Sequence, residues 1–306
     1  MDRKVSVIIP AKNEEKGLSN ILEKLKQIAE VNEIIVVDDG STDNTRGIAR
    51  KHGVTVVNHA YSIGNGGAIK SGARAASGEI LVFMDGDGQH DPEDIPRLIK
   101  HLESGHDMVI GARASTSQAS IGRNFANQLY NRLASYMTGH NILDLTSGFR
   151  VVHADKFREF LYLLPNGFSY PTTITMAFFR AGYIVDYLPI IAAKRAGNSH
   201  IQPLKDGIRF LLIIFKIGTL YSPLKLFAPI ALFHFIVGIG YYAFTFYTQH
   251  RLSSMTIFLL TASTTIFLIG LVSEQITQLL YKNSEPLPVE KYSTAIDRRI
   301  AKDNRQ

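Results

Sequence analysis

The chain has 306 residues, 45% of them hydrophobic, enough to bury a real core in one large domain or two smaller ones. It has no cysteine, which excludes disulfides, zinc thiolates and cysteine nucleophiles. Of the net charge of +6, residues 194–225 contribute +5 (six basic, one acidic) beside apolar sequence, a placement that favours a membrane surface over nucleic acid.

From Val5, "VSVIIP" reads as a buried strand rather than a signal peptide. A helix follows over about 14–30, with Leu18, Ile21, Leu22, Leu25 and Ile28 on one face. "EIIVVDD", "VTVVNH", "EILVFMD" and "DMVIGA" are further strands, with helical segments beginning near Thr42, Gly66 and Pro92. This alternation implies βαβ units and a doubly wound, mostly parallel α/β sheet. Ligands of such sheets bind beyond the carboxyl ends of the strands. Those ends carry residues 10–14, 38–41 and 85–89, so the three polar clusters are expected to share one crevice. After Gly111 come a long helical stretch over 122–138, "DLTSGFRVV", helices near Asp155 and Thr172, and a strand at "YIVDYLP". "KRAGNSHI" closes the globular part near residue 201.

The remainder differs in kind. Residues 226–247 and 254–273 carry no formal charge, and each run is long enough to span about 30 Å of hydrocarbon as a helix. The short link between them makes a hairpin; a pair of buried core helices is the bland alternative. Lys205, Arg209, Lys216 and Lys225 precede the first span and Lys282, Lys291, Arg298 and Arg299 follow the second, while the link holds only Arg251. The positive-inside rule then puts both termini and the globular domain on the cytoplasmic side of an integral membrane protein. Residues 204–222 read as an interfacial amphipathic helix, with an ordinary core helix as the alternative. The expected organisation is a catalytic domain over 1–203, this helix over 204–222, a two-helix transmembrane hairpin over 223–282, and a polar cytoplasmic tail over 283–306.

"FMDGDGQHDPE" places oxygen donors at Asp85, Asp87, Gln89 and Asp91. A calcium loop of the EF-hand kind needs Gly at position 6 and Glu at position 12; counted from Asp85 these are His90 and Pro96. A D-x-D at a strand end instead suits one Mg²⁺ or Mn²⁺ with coordination positions left for a diphosphate. Asp91 followed by Pro92 reads as a helix cap. In "VVDDGSTDNT", Ser41, Thr42 or Asp43 can cap a helix, and one of the two adjacent Asp can accept hydrogen bonds from a base or ribose. "SIGNGGAIKSGARAASGE" is neither a Walker A sequence nor a dinucleotide fingerprint. Tight turning and close helix packing explain its glycines, with a place near a diphosphate as the other reading.

In order along the chain, "VSVIIPAKNEE", "VVDDGSTDNT", "GNGGAIKSGA", "MDGDGQHDPED", "TSGFR" and "RAGNSH" resemble glycosyltransferase family 2, the inverting GT-A-fold enzymes, over about two-thirds of the chain. The D-x-D-x-Q motif and the two-helix anchor are most similar to the dolichyl-phosphate mannose synthase and polyprenyl-phosphate glycosyltransferase branch. The resemblance implies a GT-A fold and metal-dependent, inverting transfer of a sugar from a GDP- or UDP-linked donor to a polyprenyl phosphate. A hydroxyl of a lipid or glycan is the alternative acceptor. It implies nucleotide-sugar binding at Pro10, Lys12, Glu14, Val37, Asp39, Asp85, Gly86, Asp87 and Gln89, and metal binding at Asp85, Asp87 and Gln89. Arg113 and Arg195 match arginines that meet the acceptor phosphate or stand near the active site, Arg123 lies in the region that supplies another phosphate-binding arginine, and Asp87, Arg113 and Arg195 are the catalytic set. The implied partners are the donor, the lipid acceptor and membrane lipid, with no nucleic acid; homo-oligomerisation stays open. Departures are Lys12 where many members have an aromatic residue, Asn65 for a lysine, and His200 for the lysine after R-x-G-x-S.

Overall fold

The computed structural model describes residues 3–113, 121–167, 170–191, 215 and 218–281, with residues 121–127 and 281 described by backbone alone. The chain divides into two compact units, one built from residues up to 200 and one spanning 201–285.

The first unit is organised by a seven-stranded sheet. Its strands are β1 (Val5–Ala11), β2 (Glu33–Asp38), β3 (Thr55–Asn58), β4 (Ile80–Phe83), β5 (Met108–Arg113), β6 (Arg150–His153) and β7 (Val185–Ile190). Their spatial order is β3-β2-β1-β4-β6-β5-β7. Every pairing is parallel except those of β6, which runs antiparallel to both β4 and β5. β6 therefore separates two parallel blocks whose carboxyl ends still point the same way. The helices are α1 (Glu15–Leu25), α2 (Thr45–Lys51), α3 (Asn65–Ala75), α4 (Ile95–Glu103), α5 (Ile121–Thr138), α6 (Ala154–Glu159) and α7 (Tyr170–Arg180), with a 3₁₀ turn at Pro92–Asp94.

The expected strands are all present, and most helix starts lie within three residues of the expected positions. α1 stops at Leu25 because the chain tightens there, with Gln27 N–H donating to Lys24 O and Ile28 N–H to Leu25 O. α2 begins at Thr45 because residues 41–44 are used in a crossover between strand ends. α3 lies directly on β1 and β2. A Cβ at Gly72 would sit 2.4 Å from Ile8 Cγ2 and 3.1 Å from Val37 Cγ2, so glycine sets how closely helix and sheet approach.

The second unit is a helical hairpin, α8 (Pro223–Gln249) and α9 (Ser254–Tyr281). The helices are longer than the uncharged runs, about 40 Å each at 1.5 Å per residue, against a hydrocarbon core of about 30 Å. Over an 18-residue stretch of each, mean hydropathy reaches 1.7 in the first and 2.1 in the second, so both are long and apolar enough to cross a membrane. His250, in the left-handed region at φ 47°, ends α8 and reverses the chain. The helices meet through small residues. A Cβ on Gly238 would fall 3.0 Å from Leu260, one on Gly270 would fall 2.8 Å from Phe227, and Ser263 Oγ donates to Ala231 O at 2.8 Å. Of the interfacial helix expected over 204–222, only residues 215 and 218–222 are among those described. The tail from 283 lies outside them.

Candidate active site

The first two polar clusters are joined by Asn13. At the end of β1 it takes φ 58°, which Asn tolerates better than most residues. In that conformation its N–H donates to Ser41 Oγ at 3.0 Å, and its Oδ1 accepts from Thr42 N–H at 2.9 Å. Glu14 N–H donates to Thr45 Oγ1 at 2.9 Å, and Asp43 accepts from Glu15 N–H at 3.2 Å and from Thr45 N–H at 3.0 Å. Pro10 and Val37 are register partners on β1 and β2. Val37 is fully buried with its Cγ2 under Gly72, so a ligand there would meet the strand end through backbone atoms.

The adjacent aspartates both hold the architecture. Asp38 accepts from Ser41 N–H at 3.0 Å and pairs with Arg46 Nε at 2.9 Å. Asp39, 4% exposed, takes His59 Nδ1 at 2.8 Å, Ser62 Oγ at 2.7 Å, Ile63 N–H at 2.8 Å and Gly64 N–H at 2.9 Å. Burial alone would raise its pKa, but the four donors outweigh that and hold it at about 2. Asp39 therefore ties down the turn that enters α3. Exposed Lys12 reaches the same turn, with Nζ 3.1 Å from Ser62 Oγ. Gly64, at φ 109°, and Gly66 are packed against the 165–167 turn, where a Cβ on Gly66 would lie 2.0 Å from Pro165 O. Close packing accounts for these glycines.

The third cluster is the acidic loop after β4. It abuts the first cluster: a Cβ on Gly86 would lie 3.4 Å from Pro10 O and 3.6 Å from Glu14 Cγ, and one on Gly17 would lie 3.5 Å from Gly86 O. The three clusters thus share one edge of the sheet. Asp87 Oδ1 accepts from Gln89 N–H at 3.1 Å. A side chain at Gly148 would fall 2.6 Å from Asp85 Oδ2, so glycine leaves the cradle that this carboxylate occupies. Gln89 lines a cleft of about 850 Å³ that also includes Asn20, Lys24, Arg97 and Pro189. Asp91 accepts from Glu93 N–H with Pro92 next in line, so it caps the 3₁₀ turn, and it pairs with Lys24 at 3.2 Å. Two carboxylates and a carboxamide on one loop, with a glycine cradle beside one of them, suit a hard divalent cation.

Arg113 stands at the end of β5, on the same edge of the sheet as this loop. Its Nε donates to Asp144 Oδ2 at 2.8 Å, and its Nη2 donates to Asp144 Oδ1 at 3.0 Å and Thr146 Oγ1 at 2.7 Å. Burial would lower its pKa, but Asp144, and beyond it Asp85 and Asp87, hold the proton more tightly. His90 is buried and stacked on Phe149, ring centroids 5.0 Å apart. Burial pulls its pKa to about 4, so it is neutral at pH 7, and Asp85 N–H approaches its Nδ1 at 3.4 Å.

Sequence reasoning missed Asp144 and Arg150. Arg150 is fully buried on β6, donates from Nη1 to Pro171 O at 3.1 Å and Thr175 Oγ1 at 3.2 Å, and donates from Nη2 to Ser147 O. It fixes the 146–149 loop whose glycine faces Asp85. Only the "TSGFR" motif hinted at this. Arg195 and His200 lie outside the described residues, as does the side chain of Arg123.

Residues 6–161 match the family described as glycosyl transferase family 2, and residues 222–279 match the GtrB C-terminal hairpin. An undecaprenyl-phosphate 4-deoxy-4-formamido-L-arabinose transferase of Photorhabdus laumondii is 36% identical over 152 residues, 46% of each chain. That of Proteus mirabilis is likewise 36% identical over 151 residues, 46% of each chain. An uncharacterized protein of Methanocaldococcus jannaschii is 37% identical over 165 residues, 51% of this chain and 68% of its own. The chain thus spans about half the length of the named transferases it matches. Among solved structures, glucosyl-3-phosphoglycerate synthase from Mycobacterium tuberculosis with Mn²⁺ and UDP-glucose has a TM-score of 0.57 at 24% identity. That match covers 71% of this chain and 78% of the other, and it is a likeness of fold.

Proposed function

Because the chain belongs to glycosyl transferase family 2, we propose that it transfers a sugar, with inversion, from a nucleotide-diphospho-sugar to a polyprenyl phosphate at a membrane surface. The observation that carries this is the acidic loop of Asp85 and Asp87 after β4, at the same edge of the sheet as Arg113 at the end of β5, in a chain that also has an apolar hairpin. The names of the undecaprenyl-phosphate transferases support the lipid acceptor. The Mn²⁺ and UDP-glucose bound by the fold neighbour support a metal and a nucleotide-sugar donor.

Asp85, Asp87 and Gln89 would hold Mg²⁺ or Mn²⁺. The bound cation supplies Lewis-acid neutralisation of the diphosphate leaving group. Pro10, Lys12, Glu14, Val37 and Gly86 border the donor, and Asp39 shapes its turn from beneath. A lipid phosphate has a second pKa of about 6, so it is largely dianionic at pH 7 and needs positioning rather than a base. Arg113 positions it, with Asp144 orienting the guanidinium, and Arg123 and Arg195 are the further phosphate candidates. A phosphate oxygen attacks the anomeric carbon from the face opposite the nucleotide, forming the new C–O bond as the bond to the diphosphate breaks. The excess of basic residues outside the hairpin link supports a cytoplasmic catalytic domain over 1–203, an interfacial segment over 204–222 and a cytoplasmic tail from 283.

The test uses the purified full chain in detergent with Mg²⁺ or Mn²⁺, a panel of labelled nucleotide sugars, and polyprenyl phosphate. We expect transfer to the lipid that EDTA abolishes and that Asp87→Ala lowers by about 10³-fold, the scale of losing a major electrostatic stabiliser. Arg113→Ala should raise the KM for lipid phosphate more than that for the donor. Transfer to hydroxyl acceptors alone would overturn the reading.

A further inference from the structure

At the opposite end of the sheet from Arg113, three side chains converge that the transfer reaction does not use. His101 is in the last turn of α4, His106 follows it, and Asp186 opens β7, where it pairs in register with Val109 near the start of β5. Gly105, at φ 113°, lets the chain turn back after the helix, and His106 N–H donates to Leu102 O at 3.0 Å. The turn stacks the two imidazoles with centroids 4.6 Å apart. Asp186 Oδ2 then lies 2.8 Å from His101 Nε2 and 3.3 Å from His106 Nε2, and the three ligating atoms are within 4.8 Å of one another.

The hydrogen bonds around the trio decide what it can hold. His106 Nδ1 is 2.8 Å from His101 O, and a carbonyl can only accept, so Nδ1 carries a proton. Ser104 Oγ, 3.2 Å from the same nitrogen, spends its own proton on that carbonyl at 2.7 Å. In neutral His106 the lone pair therefore sits on Nε2, aimed at a carboxylate oxygen. Two electron-rich atoms then face each other at 3.3 Å, a contact that a cation between them, a second proton or a metal, would turn from repulsive to attractive. The supporting contacts are those of a metal site. One histidine is oriented by a main-chain carbonyl, and Asp186 Oδ1 is fixed by Tyr187 N–H at 2.8 Å, so Oδ2 is left to ligate. The Asp186 side chain is 45% exposed, which leaves room for water ligands.

We propose that His101, His106 and Asp186 form a second metal site, separate from the acidic loop, that takes a first-row transition cation of the Zn²⁺ class. Two imidazole nitrogens and one carboxylate oxygen are the donors such ions prefer, whereas Mg²⁺ favours oxygen alone. The bound ion clamps the α4–β5 connection to the start of β7.

The test titrates Zn²⁺ into the full chain in detergent after chelation, with excess Mg²⁺ present and in the Asp87→Ala background, so that the acidic loop contributes little. We expect one Zn²⁺ per chain by calorimetry and a Tm rise of roughly 5–10 °C at a hundredfold excess over Kd. His106→Ala and Asp186→Asn should each weaken binding by more than about 100-fold, beyond the usual cost of losing a supporting contact. Co²⁺ loaded into the Asp87→Ala chain should show visible d–d absorption that His101→Gln alters, a readout independent of whether the other variants fold. Absence of Zn²⁺ binding under these conditions, or binding unchanged in all three variants, would overturn the proposal and leave protonated His106 as the cation facing Asp186.

Discussion

In the sheet, Val7, Ile8 and Ile9 are fully buried; in the hairpin, Phe233, Ile236 and Leu279 are 64%, 60% and 66% exposed while Thr245, Thr256, Ser263 and Thr277 are buried. The first unit hides hydrocarbon from water and pairs its buried polar groups densely, as around Asp39. The second turns its hydrocarbon outward and keeps the buried hydroxyls of Thr245, Ser263 and Thr277 on backbone carbonyls, such as Thr245 Oγ1 on Tyr241 O at 3.0 Å and Ser263 Oγ on Ala231 O at 2.8 Å, while buried Thr256 Oγ1 makes no hydrogen bond. The contrast is the one expected of similar apolar side chains that face water in one unit and lipid in the other. Water drives the sheet together, whereas packing of small residues and satisfied polar groups hold helices together in lipid.

The sharpest test of that contrast compares two isoleucines. Ile8→Ala should cost about 2–5 kcal/mol in denaturant unfolding of the full chain in detergent, because it opens a cavity beneath α3. Ile236→Ala should change stability by no more than about 0.5 kcal/mol, because its side chain faces outward. Equal losses would erase the distinction between the units.

The next effect is electrostatic and confined to the first unit. The carboxyl of Asp39 is held at about 2, below its ordinary range. Its contribution is therefore present above about pH 4 and lost as the pH falls through about 2, amounting to about 2 kcal/mol. Acid unfolding followed by near-ultraviolet circular dichroism should show this dependence, and Asp39→Asn should flatten it. An unchanged acid profile in Asp39→Asn would count against the network. The smallest effect is in the hairpin, where Ser263→Ala should cost about 0.6 kcal/mol of helix association. A loss several times larger in a reversible unfolding assay would mean that the hydroxyl does more than bridge two helices.

Much of the fold was legible. β1 to β5 and β7 announce themselves as apolar runs, and α8 and α9 as long uncharged ones, because burial or lipid demands such runs wherever the backbone pairs internally. β6 was not legible as a strand: Arg150–His153 has only two central valines and opens with an arginine. At the site, the D-x-D-x-Q loop and its neighbouring clusters could be read because strand ends in a parallel sheet converge. The partnership of Arg113 with Asp144 could not, since 31 residues separate them. Nor could the trio of His101, His106 and Asp186, whose last member is 85 residues from its first.

Local period, local composition and short motifs in order carry the alternation of strands and helices, the apolar hairpin, and the family to which the chain belongs. Tertiary structure alone decided that β6 enters the sheet antiparallel, that Asp39 spends its carboxylate on its own turn, that Arg150 is buried under the loop facing Asp85, and that two histidines share one aspartate. These depend on which distant side chains the fold brings within hydrogen-bonding reach, and no local period or composition encodes that distance.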